Sequence, residues 1–205
     1  SLNHHLGKEE SAHQDFKNNI NIWYEEHKKG NLDAILSNTS GGGTTMKDYG
    51  FIFREDKELR QKAKIISKLT KDITEYIFES LKIDIKPKNT KYKVAYHSAC
   101  SMQHGQKVHY QPMNLLQRTG NQILEIPDGH ICCGSAGTYN ILQSKIAKQL
   151  LNKKVNNIES LKPDFISTGN IGCITQISYG TKVPILHTIE ILDWYTGGPK
   201  PEVLK

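Results

Sequence analysis

Four cysteines are the residues of this sequence whose type and positions best fit a chemical role. Cys132 and Cys133 are adjacent and are followed by Gly134, while Cys100 lies upstream and Cys173 downstream. Each cysteine group follows an apolar run and precedes a helix-like segment. Ligands of an open α/β sheet bind beyond the carboxyl ends of its strands. The four thiols are therefore predicted to meet at one sheet edge and to bind a metal ion or an iron–sulfur cluster.

The residues around the cysteines favour a polynuclear cluster over a structural zinc ion. Helix N-termini carry a partial positive charge that lowers thiol pKa values, and Gly134 and Gly172 let backbone amides approach the sulfurs and tune a reduction potential. Structural zinc sites use paired Cys-x-x-Cys segments, whereas Gln176 stands three residues after Cys173. A zinc-stabilised interaction module and a thiol–disulfide redox protein acting through the adjacent cysteines are the two alternatives.

The elements that must position these thiols alternate between strands and helices. Strands are predicted at 94–97, 123–126, 165–166 and 183–186, and helices at 111–118, 139–161 and 189–195. Such alternation is typical of a parallel sheet covered by helices on both faces. We therefore predict the α/β class, with parallel sheets flanked by helices.

The first half of the chain carries weaker signals. A helix is predicted at 8–29, a strand at 34–36, a tight turn at Ser40-Gly41-Gly42-Gly43 and one long helix from 56 to 81. Lys17–Ile20 resembles Val155–Ile158, and Ile35–Asn38 resembles Phe165–Thr168 in the same order. The echo predicts a pseudo-twofold pair of α/β halves, the first of them truncated.

Three ranges follow from this organisation. Residues 1–81 are expected to hold the remnant of a first repeat with a connecting helix, 82–92 a linker, and 93–205 a second repeat that contains all four cysteines. The chain begins at Ser1 without an initiator methionine, which predicts a piece of a longer protein.

The composition excludes several classes of function. The net charge of +6 comes from lysines spread over helix-like stretches that also contain acids, so we expect solvated faces and no nucleic-acid partner. No apolar run has the length of a membrane span. A small number of cysteines, two of them adjacent, is unlike a secreted disulfide framework. A reducing, cytoplasmic location is expected.

A set of motifs resembles a known family. The set consists of His97-Ser98-Ala99-Cys100, Gln103–Lys107, Cys132-Cys133-Gly134-Ser135-Ala136-Gly137-Thr138-Tyr139 and Asn170-Ile171-Gly172-Cys173. Together these segments resemble the second Cys-Cys-Gly domain of the iron–sulfur subunit of bacterial glycolate oxidase. That family is related to the cysteine-rich subunit of heterodisulfide reductase and to the lactate-utilisation iron–sulfur proteins. The resemblance covers nearly the whole chain, and it implies that 1–81 holds the remnant of a first cysteine-rich (CCG-type) repeat and 93–205 a second cysteine-rich CCG domain.

The resemblance implies an electron-transfer subunit of a flavin-dependent 2-hydroxy acid oxidase. Cys100, Cys132, Cys133 and Cys173 match the family's cluster ligands, which implies an iron–sulfur cluster of the 4Fe-4S type. The implied partners are an FAD-containing subunit that oxidises glycolate to glyoxylate, a third subunit, and quinone or another acceptor. Lactate utilisation is the alternative within the family, and a peripheral position on the inner face of the cell membrane is compatible with the scheme.

Two positions depart from the family pattern. Gly42 stands where the first repeat commonly has cysteine, and Gln176 stands where heterodisulfide reductase relatives have a fifth cysteine. Two histidines near the cysteines, His97 and His130, offer ring nitrogens to a sulfur or a proton. For both histidines the sequence favours the simpler role of a local hydrogen-bonding residue.

Overall fold

The computed structural model describes residues 2–205 of the chain and divides into two compact units, of which the first ends at Ile73 and the second begins at Thr74. All four cysteines lie in the second unit.

The first unit combines helices with a short parallel ribbon. Its elements are α1 (Leu2–His5), α2 (Glu9–Lys28), β1 (Ile35–Ser37), α3 (Ser40–Lys47), α4 (Tyr49–Ile52), α5 (Arg60–Leu69) and β2 (Thr70–Asp72). Strands β1 and β2 pair in parallel, with Ile35 opposite Thr70. The core is formed where Phe16 and Ile20 of α2 meet Ala63 and Ile66 of α5.

The expected turn at residues 40–43 is wrong, because these residues open helix α3. Glycine disfavours a helix by about 1 kcal/mol per residue relative to alanine. Burial outweighs this cost, since Ser40, Gly43 and Thr45 are all buried within the unit. The hydroxyl group of Thr44 also donates to the Ser40 carbonyl at 2.9 Å and supports the first turn.

The expected single helix over 56–81 is also wrong. Helix α5 ends at Leu69, and Thr70–Asp72 forms the strand that pairs with β1 before α6 (Ile73–Ser80) begins. The apolar spacing that predicts a continuous helix carries no information on strand pairing. Pairing with β2 satisfies backbone groups of β1, as buried polar groups of the main chain require.

The second unit is a parallel sheet with helices on both faces. After α6 its elements are β3 (Lys93–Tyr96), a π-helix (Ser101–Gln106), α7 (Tyr110–Arg118), β4 (Gln122–Glu125), α8 (Tyr139–Leu142), α9 (Ser144–Glu159), β5 (Phe165–Thr168), α10 (Ile171–Ser178), β6 (Ile185–His187), α11 (Thr188–Thr196) and a 3₁₀ turn (Glu202–Leu204). The strand order is β4-β3-β5-β6, and every pair is parallel. The predicted α/β class is confirmed.

Alternate residues of the central strand β3 serve two different cores. Ala95 packs with the apolar side of α9, including Val155 and Ile158. Val94 and Tyr96 point to the opposite face, where the side chains of α7 and α11 cover them. The sheet is thereby the middle layer of three, and its edge is left to the loops that follow the strands.

Two predicted segments of this unit differ in detail. The helix expected over 139–161 is divided at Gln143, whose φ of −125° and ψ of 49° separate α8 from α9. The segment expected as a linker has no regular secondary structure from 81 to 92. It is nonetheless anchored in the unit, because Ile83 and Ile85 pack into its core and the Lys86 amide donates to the Tyr195 carbonyl at 2.9 Å.

The duplication remains a prediction. In each unit a long helix, a strand and a helix follow one another where the sequence echo falls, as α2-β1-α3 and as α9-β5-α10. A shared order of elements does not test common descent, and the assignment of 1–81 and 93–205 to two repeats also stays a prediction. Within residues 2–205, none of the helices combines the length and apolar character needed to cross a bilayer.

Replacement of Ile158 by alanine tests the packing of α9 on the sheet. Ile158 is completely buried, so that Ile158→Ala should lower the free energy of unfolding by about 2–5 kcal/mol. Ile141 in the preceding helix is 75% exposed, and Ile141→Ala should change the free energy of unfolding by less than about 0.5 kcal/mol. Urea unfolding of both variants under reducing conditions measures the difference, and equal losses would contradict the described packing.

Candidate metal centre at the carboxyl edge of the sheet

The four cysteines follow three neighbouring strands. Cys100 follows β3, the Cys132–Cys133 doublet follows β4, and Cys173 lies in the first turn of α10 after β5. These strands are adjacent in the sheet, with β3 between the other two. The parallel topology therefore brings all three cysteine segments to the same edge.

The sulfur atoms form a connected group. The Sγ atoms of Cys133 and Cys173 lie 3.4 Å apart, and both residues are buried. The thiols of Cys100 and Cys132 interact with each other, and Cys132 in turn interacts with Cys133. All four cysteines are free thiols. Cys100 and Cys132 are only half-buried, so that part of the thiol group remains accessible from outside the protein.

Gly134 is the residue that allows the doublet to reach this position. Its φ of +93° lies in the region that favours glycine. A Cβ atom at this position would lie 2.4 Å from the carbonyl oxygen of Ala147 in α9. The chain therefore turns away from Cys133 directly against the backbone of α9, and no side chain fits there. This contact explains in physical terms why glycine follows the two cysteines.

Contacts between loops hold Cys173 beside the doublet. Asn170 caps α10, because its Oδ1 accepts from the Cys173 amide at 3.0 Å. A Cβ atom on Gly172 would approach the Ser135 hydroxyl to 2.8 Å, so that glycine lets the two cysteine segments meet. Gln176, the residue at the position of a fifth cysteine, is buried, and its Oε1 accepts from Asn140 Nδ2 at 3.0 Å.

Hydrogen bonding divides the thiols into donors and acceptors. The hydrogen bond from Cys100 lowers the pKa of Cys132, and the hydrogen bond from Cys133 lowers the pKa of Cys173 to about 5. The same interactions, reinforced by burial, raise the pKa of Cys100 and the pKa of Cys133 far above the usual range of a thiol. These hydrogen bonds accordingly favour the thiolate form of Cys132 and Cys173 and the thiol form of Cys100 and Cys133.

His97 belongs to this group, although the sequence favours a local role for it. The side chain is 2% exposed, and one of its ring nitrogens lies with the Sγ atoms of Cys133 and Cys173 in a group of three atoms within 4.8 Å of one another. Among the described residues, neither ring nitrogen has a hydrogen-bond partner of normal geometry. The sequence contains a signal for this position of His97, since His97 is the last residue of the predicted strand 94–97 that precedes Cys100. His130, by contrast, is exposed.

The residues present fit a metal or an iron–sulfur cluster. Thiolates are the ligands that select zinc and iron–sulfur clusters. Two sulfurs that share one metal at thiolate bond lengths of about 2.3 Å lie less than about 4.6 Å apart, and Cys133 and Cys173 meet that condition. A buried imidazole without a partner beside them is a further sign of a missing ligand. The fold and the site together define an α/β protein with four thiols gathered at one sheet edge, which makes this edge a candidate metal centre.

Comparisons with known proteins identify the family. A model of the cysteine-rich domain family matches residues 94–178, which include all four cysteines. The glycolate oxidase iron–sulfur subunit of Escherichia coli (strain K12) is 35% identical over 94% of this chain and 47% of its own length. Lactate utilization protein A of Bacillus subtilis (strain 168) is 30% identical over 75% of this chain and 68% of its own length. Lactate utilization protein A of Geobacillus sp. (strain WCH70) is 26% identical over 78% of this chain and 70% of its own length.

The chain belongs to the cysteine-rich (CCG) domain family that contains these glycolate oxidase and lactate utilization proteins. The resemblance inferred from the motifs is thereby confirmed. The chain spans about half the length of the Escherichia coli subunit it matches, at 47%. The matched domain lies within the second unit, whereas the first unit contains no cysteine.

Replacement of Gly134 by alanine tests the turn that places the doublet. The change adds a left-handed strain of about 1–2 kcal/mol and a steric conflict of about 1–3 kcal/mol with α9. We expect Gly134→Ala to lower the free energy of unfolding by about 2–5 kcal/mol and to abolish metal binding. Gly197→Ala is the matched control, because Gly197 also has a positive φ but open space around it. Similar losses in both variants would show that the approach to α9 is unimportant.

The division into donors and acceptors predicts how many protons leave when a metal binds. A single Co²⁺ ion held by all four sulfurs at pH 7 should release fewer protons than four ordinary thiols would, because hydrogen bonding lowers the pKa values of Cys132 and Cys173 and favours their thiolate forms. Four ordinary thiols would release nearly four, since a thiol normally titrates near pH 8.5. Calorimetry in buffers of different ionisation enthalpy measures the number. A release close to four would contradict the assigned pKa directions.

Proposed function

We propose that this chain is an iron–sulfur electron-transfer subunit of a flavin-dependent 2-hydroxy acid oxidase, with Cys100, Cys132, Cys133 and Cys173 as the ligands of its cluster. The gathering of four free thiols behind three adjacent strands is the observation that carries the proposal. Both the redox role and the whole complex's activity are inferences for this chain, because it covers about half of the glycolate oxidase subunit it resembles.

The site has the properties that electron transfer requires. When bound, a 4Fe-4S cluster would accept and release one electron at a time without a change in its ligands. The half-buried cysteines Cys100 and Cys132 lie on the accessible side of the site and offer a short path to a partner. The buried pair Cys133 and Cys173 keeps the other side within the core, away from water. No substrate acid or base is needed on this chain.

The relatives indicate the reaction that we propose for the complex. Oxidation of glycolate to glyoxylate releases two electrons and two protons. We infer that an FAD-containing partner subunit takes a hydride from the hydroxyl-bearing carbon while the hydroxyl proton goes to a base on that partner. The two electrons then leave one by one through this chain to quinone or another acceptor, and a third subunit completes the complex. Lactate oxidised to pyruvate follows the same balance and is the alternative substrate.

The proposed location follows from the thiols and from the acceptor. All four cysteines are free, and a reducing compartment preserves free thiols. We propose a cytoplasmic subunit, which meets its membrane-bound acceptor at the inner face of the cell membrane.

A single zinc ion is the second candidate, and a specific observation favours it. His97, Cys133 and Cys173 place three donor atoms within 4.8 Å of one another, which is the spacing of ligands around one metal. Zinc is bound by cysteine and histidine in tetrahedral sites and cannot change its oxidation state. In that case the centre would stabilise an interaction module and would carry no electrons.

Anaerobic reconstitution with iron and sulfide distinguishes the two candidates. We expect a brown protein that contains iron and inorganic sulfide in equal amounts, and whose absorption bleaches on reduction with dithionite. The Cys133→Ser variant should lose most of the bound iron, because a serine hydroxyl is a poor substitute for a buried thiolate ligand. The metal and sulfide contents of both proteins are measured after gel filtration.

Ser178→Ala is the control for this experiment, since Ser178 is an exposed residue of the same helix that carries Cys173. It should retain the iron of the unmodified chain. A colourless chain that takes up one zinc ion and no iron would contradict the electron-transfer proposal and support the second candidate. Equal iron retention in the Cys133 variant would contradict the ligand assignment.

A further inference from the structure

The surface where α8 leads into α9 has its polar and apolar side chains in reversed positions. Ile141 and Leu142 of α8 are 75% and 73% exposed, and among the described large apolar side chains only Tyr179 is more exposed. Asn140, the polar residue before them, is partly buried and donates through Nδ2 to Gln176 Oε1 at 3.0 Å. A surface helix normally turns its apolar side chains toward the core. Here the polar residue is held inside, and the apolar pair faces outward.

The same surface carries positive charge that its own segment does not balance. Residues 129–158 contain four lysines and no aspartate or glutamate. Lys145 and Lys148 are exposed in the first turns of α9, shortly after the apolar pair. Of the other two lysines, Lys153 forms an ion pair and Lys154 is buried. The segment thus departs from the expected mixture of lysines and acids, and it presents two positive charges beside exposed aliphatic side chains.

The packing of α9 holds these side chains on the outside of the unit. Ala147, Leu151 and Val155 form its buried face against the sheet. Residues three and four positions apart share a face of a helix, so the lysines of the first turns lie away from this buried stripe. Ile146 lies between the two lysines in sequence and is 48% exposed. We call the surface formed by Ile141, Leu142, Lys145, Ile146 and Lys148 the α8–α9 corner.

The composition of the α8–α9 corner fits an anionic lipid surface better than a protein partner. Protein interfaces are enriched in aromatic residues and arginine and depleted in lysine, whereas the corner combines aliphatic residues with lysines and contains neither an aromatic residue nor arginine. Segments that lie in a membrane interface bury aliphatic side chains at the boundary of the acyl chains. Their lysines extend outward to the lipid head groups. The corner offers both kinds of contact.

We propose that the α8–α9 corner is a docking surface for the anionic face of a lipid bilayer. Its three aliphatic side chains enter the boundary between head groups and acyl chains, and its two lysines bind lipid phosphates. Helix α8 follows the cysteine doublet and is hydrogen-bonded to α10, which carries a third cysteine. Docking would therefore hold the thiol group near a membrane-bound acceptor. That purpose rests on the proposed function, whereas lipid binding itself requires neither a metal nor a partner subunit.

Co-sedimentation of the metal-free chain with vesicles tests the docking surface. Vesicles of phosphatidylglycerol and phosphatidylethanolamine supply an anionic surface, and vesicles of phosphatidylcholine alone supply a neutral one. We expect binding to the anionic vesicles and little binding to the neutral ones. Binding should weaken as salt is added, because salt screens charges at the surface.

Two double variants separate the apolar contribution from the charged one. Ile141→Asn/Leu142→Asn removes the aliphatic pair without a change in charge, and it should weaken binding to anionic vesicles at least about tenfold, since two side chains no longer leave water. Lys145→Gln/Lys148→Gln should also weaken it on the order of tenfold, because each lysine near an anionic bilayer contributes to binding. All four positions are exposed, so both variants should unfold at the same temperature as the unmodified chain.

Matched controls change exposed residues away from the corner. Val203→Asn replaces an aliphatic side chain that is 53% exposed, next to Leu204, which packs against the core on the other face of the sheet from α9. Lys91→Gln/Lys182→Gln removes two exposed charges that precede β3 and β6, at the amino edge of the sheet. Both controls should bind anionic vesicles as the unmodified chain does.

Four outcomes would overturn the inference. Lack of binding to anionic vesicles at low salt would do so, as would equal weakening in the corner variants and their controls. Equal binding to neutral vesicles would rule out recognition of an anionic surface. Self-association through Ile141 and Leu142 without vesicle binding, measured by sedimentation velocity, would assign the corner to a second copy of the chain. Failure to take up a reducible cluster would instead count against the proposed function alone, because the vesicle assay uses the metal-free chain.

Discussion

The close approach of two backbone segments, the turn at Gly134 and the helix α9, is the constraint on which the candidate metal centre depends. A turn with positive φ lies against the carbonyl of Ala147, at a distance that no side chain would permit. The same helix carries the buried Lys154 that holds the preceding loop. Helix α9 therefore contacts the chain both before and after the Cys132–Cys133 doublet and fixes its position. The order of the strands then places Cys100 and Cys173 beside it.

The sheet does this through its topology. Parallel strands place all their carboxyl ends at one edge, and the segments after β4, β3 and β5 meet there in that order. The buried Cys133 and Cys173 are part of the apolar core on the α9 side of the sheet, Cys132 packs against that core, and Cys100 and Cys132 remain partly exposed. One half of the centre is thus protected by packing while the other half stays within reach of a partner. This arrangement suits the passage of electrons better than the turnover of a substrate.

The sequence allowed the α/β class and the convergence of the four thiols to be predicted, because strand periodicity and strand ends are local properties. It did not allow strand β2 to be predicted, since Thr70–Asp72 owes its extended form to pairing with β1, 35 residues away in the register Ile35–Thr70. The buried positions of His97 and Lys154 were missed for a related reason. Each is polar in sequence, and its burial results from what other segments bring to it: two sulfurs for His97, and two carbonyl groups for Lys154.

Iron-edge X-ray absorption of the anaerobically reconstituted chain tests the central claim most directly, because it reports both the ligands and the neighbours of each iron atom. If Cys100, Cys132, Cys133 and Cys173 share one cluster, each iron should have a shell of sulfur atoms and a second shell of iron. Iron bound singly to nitrogen and oxygen, with no iron neighbour, would contradict the account. Such a spectrum would show that the four sulfurs, although close together, do not form the proposed centre.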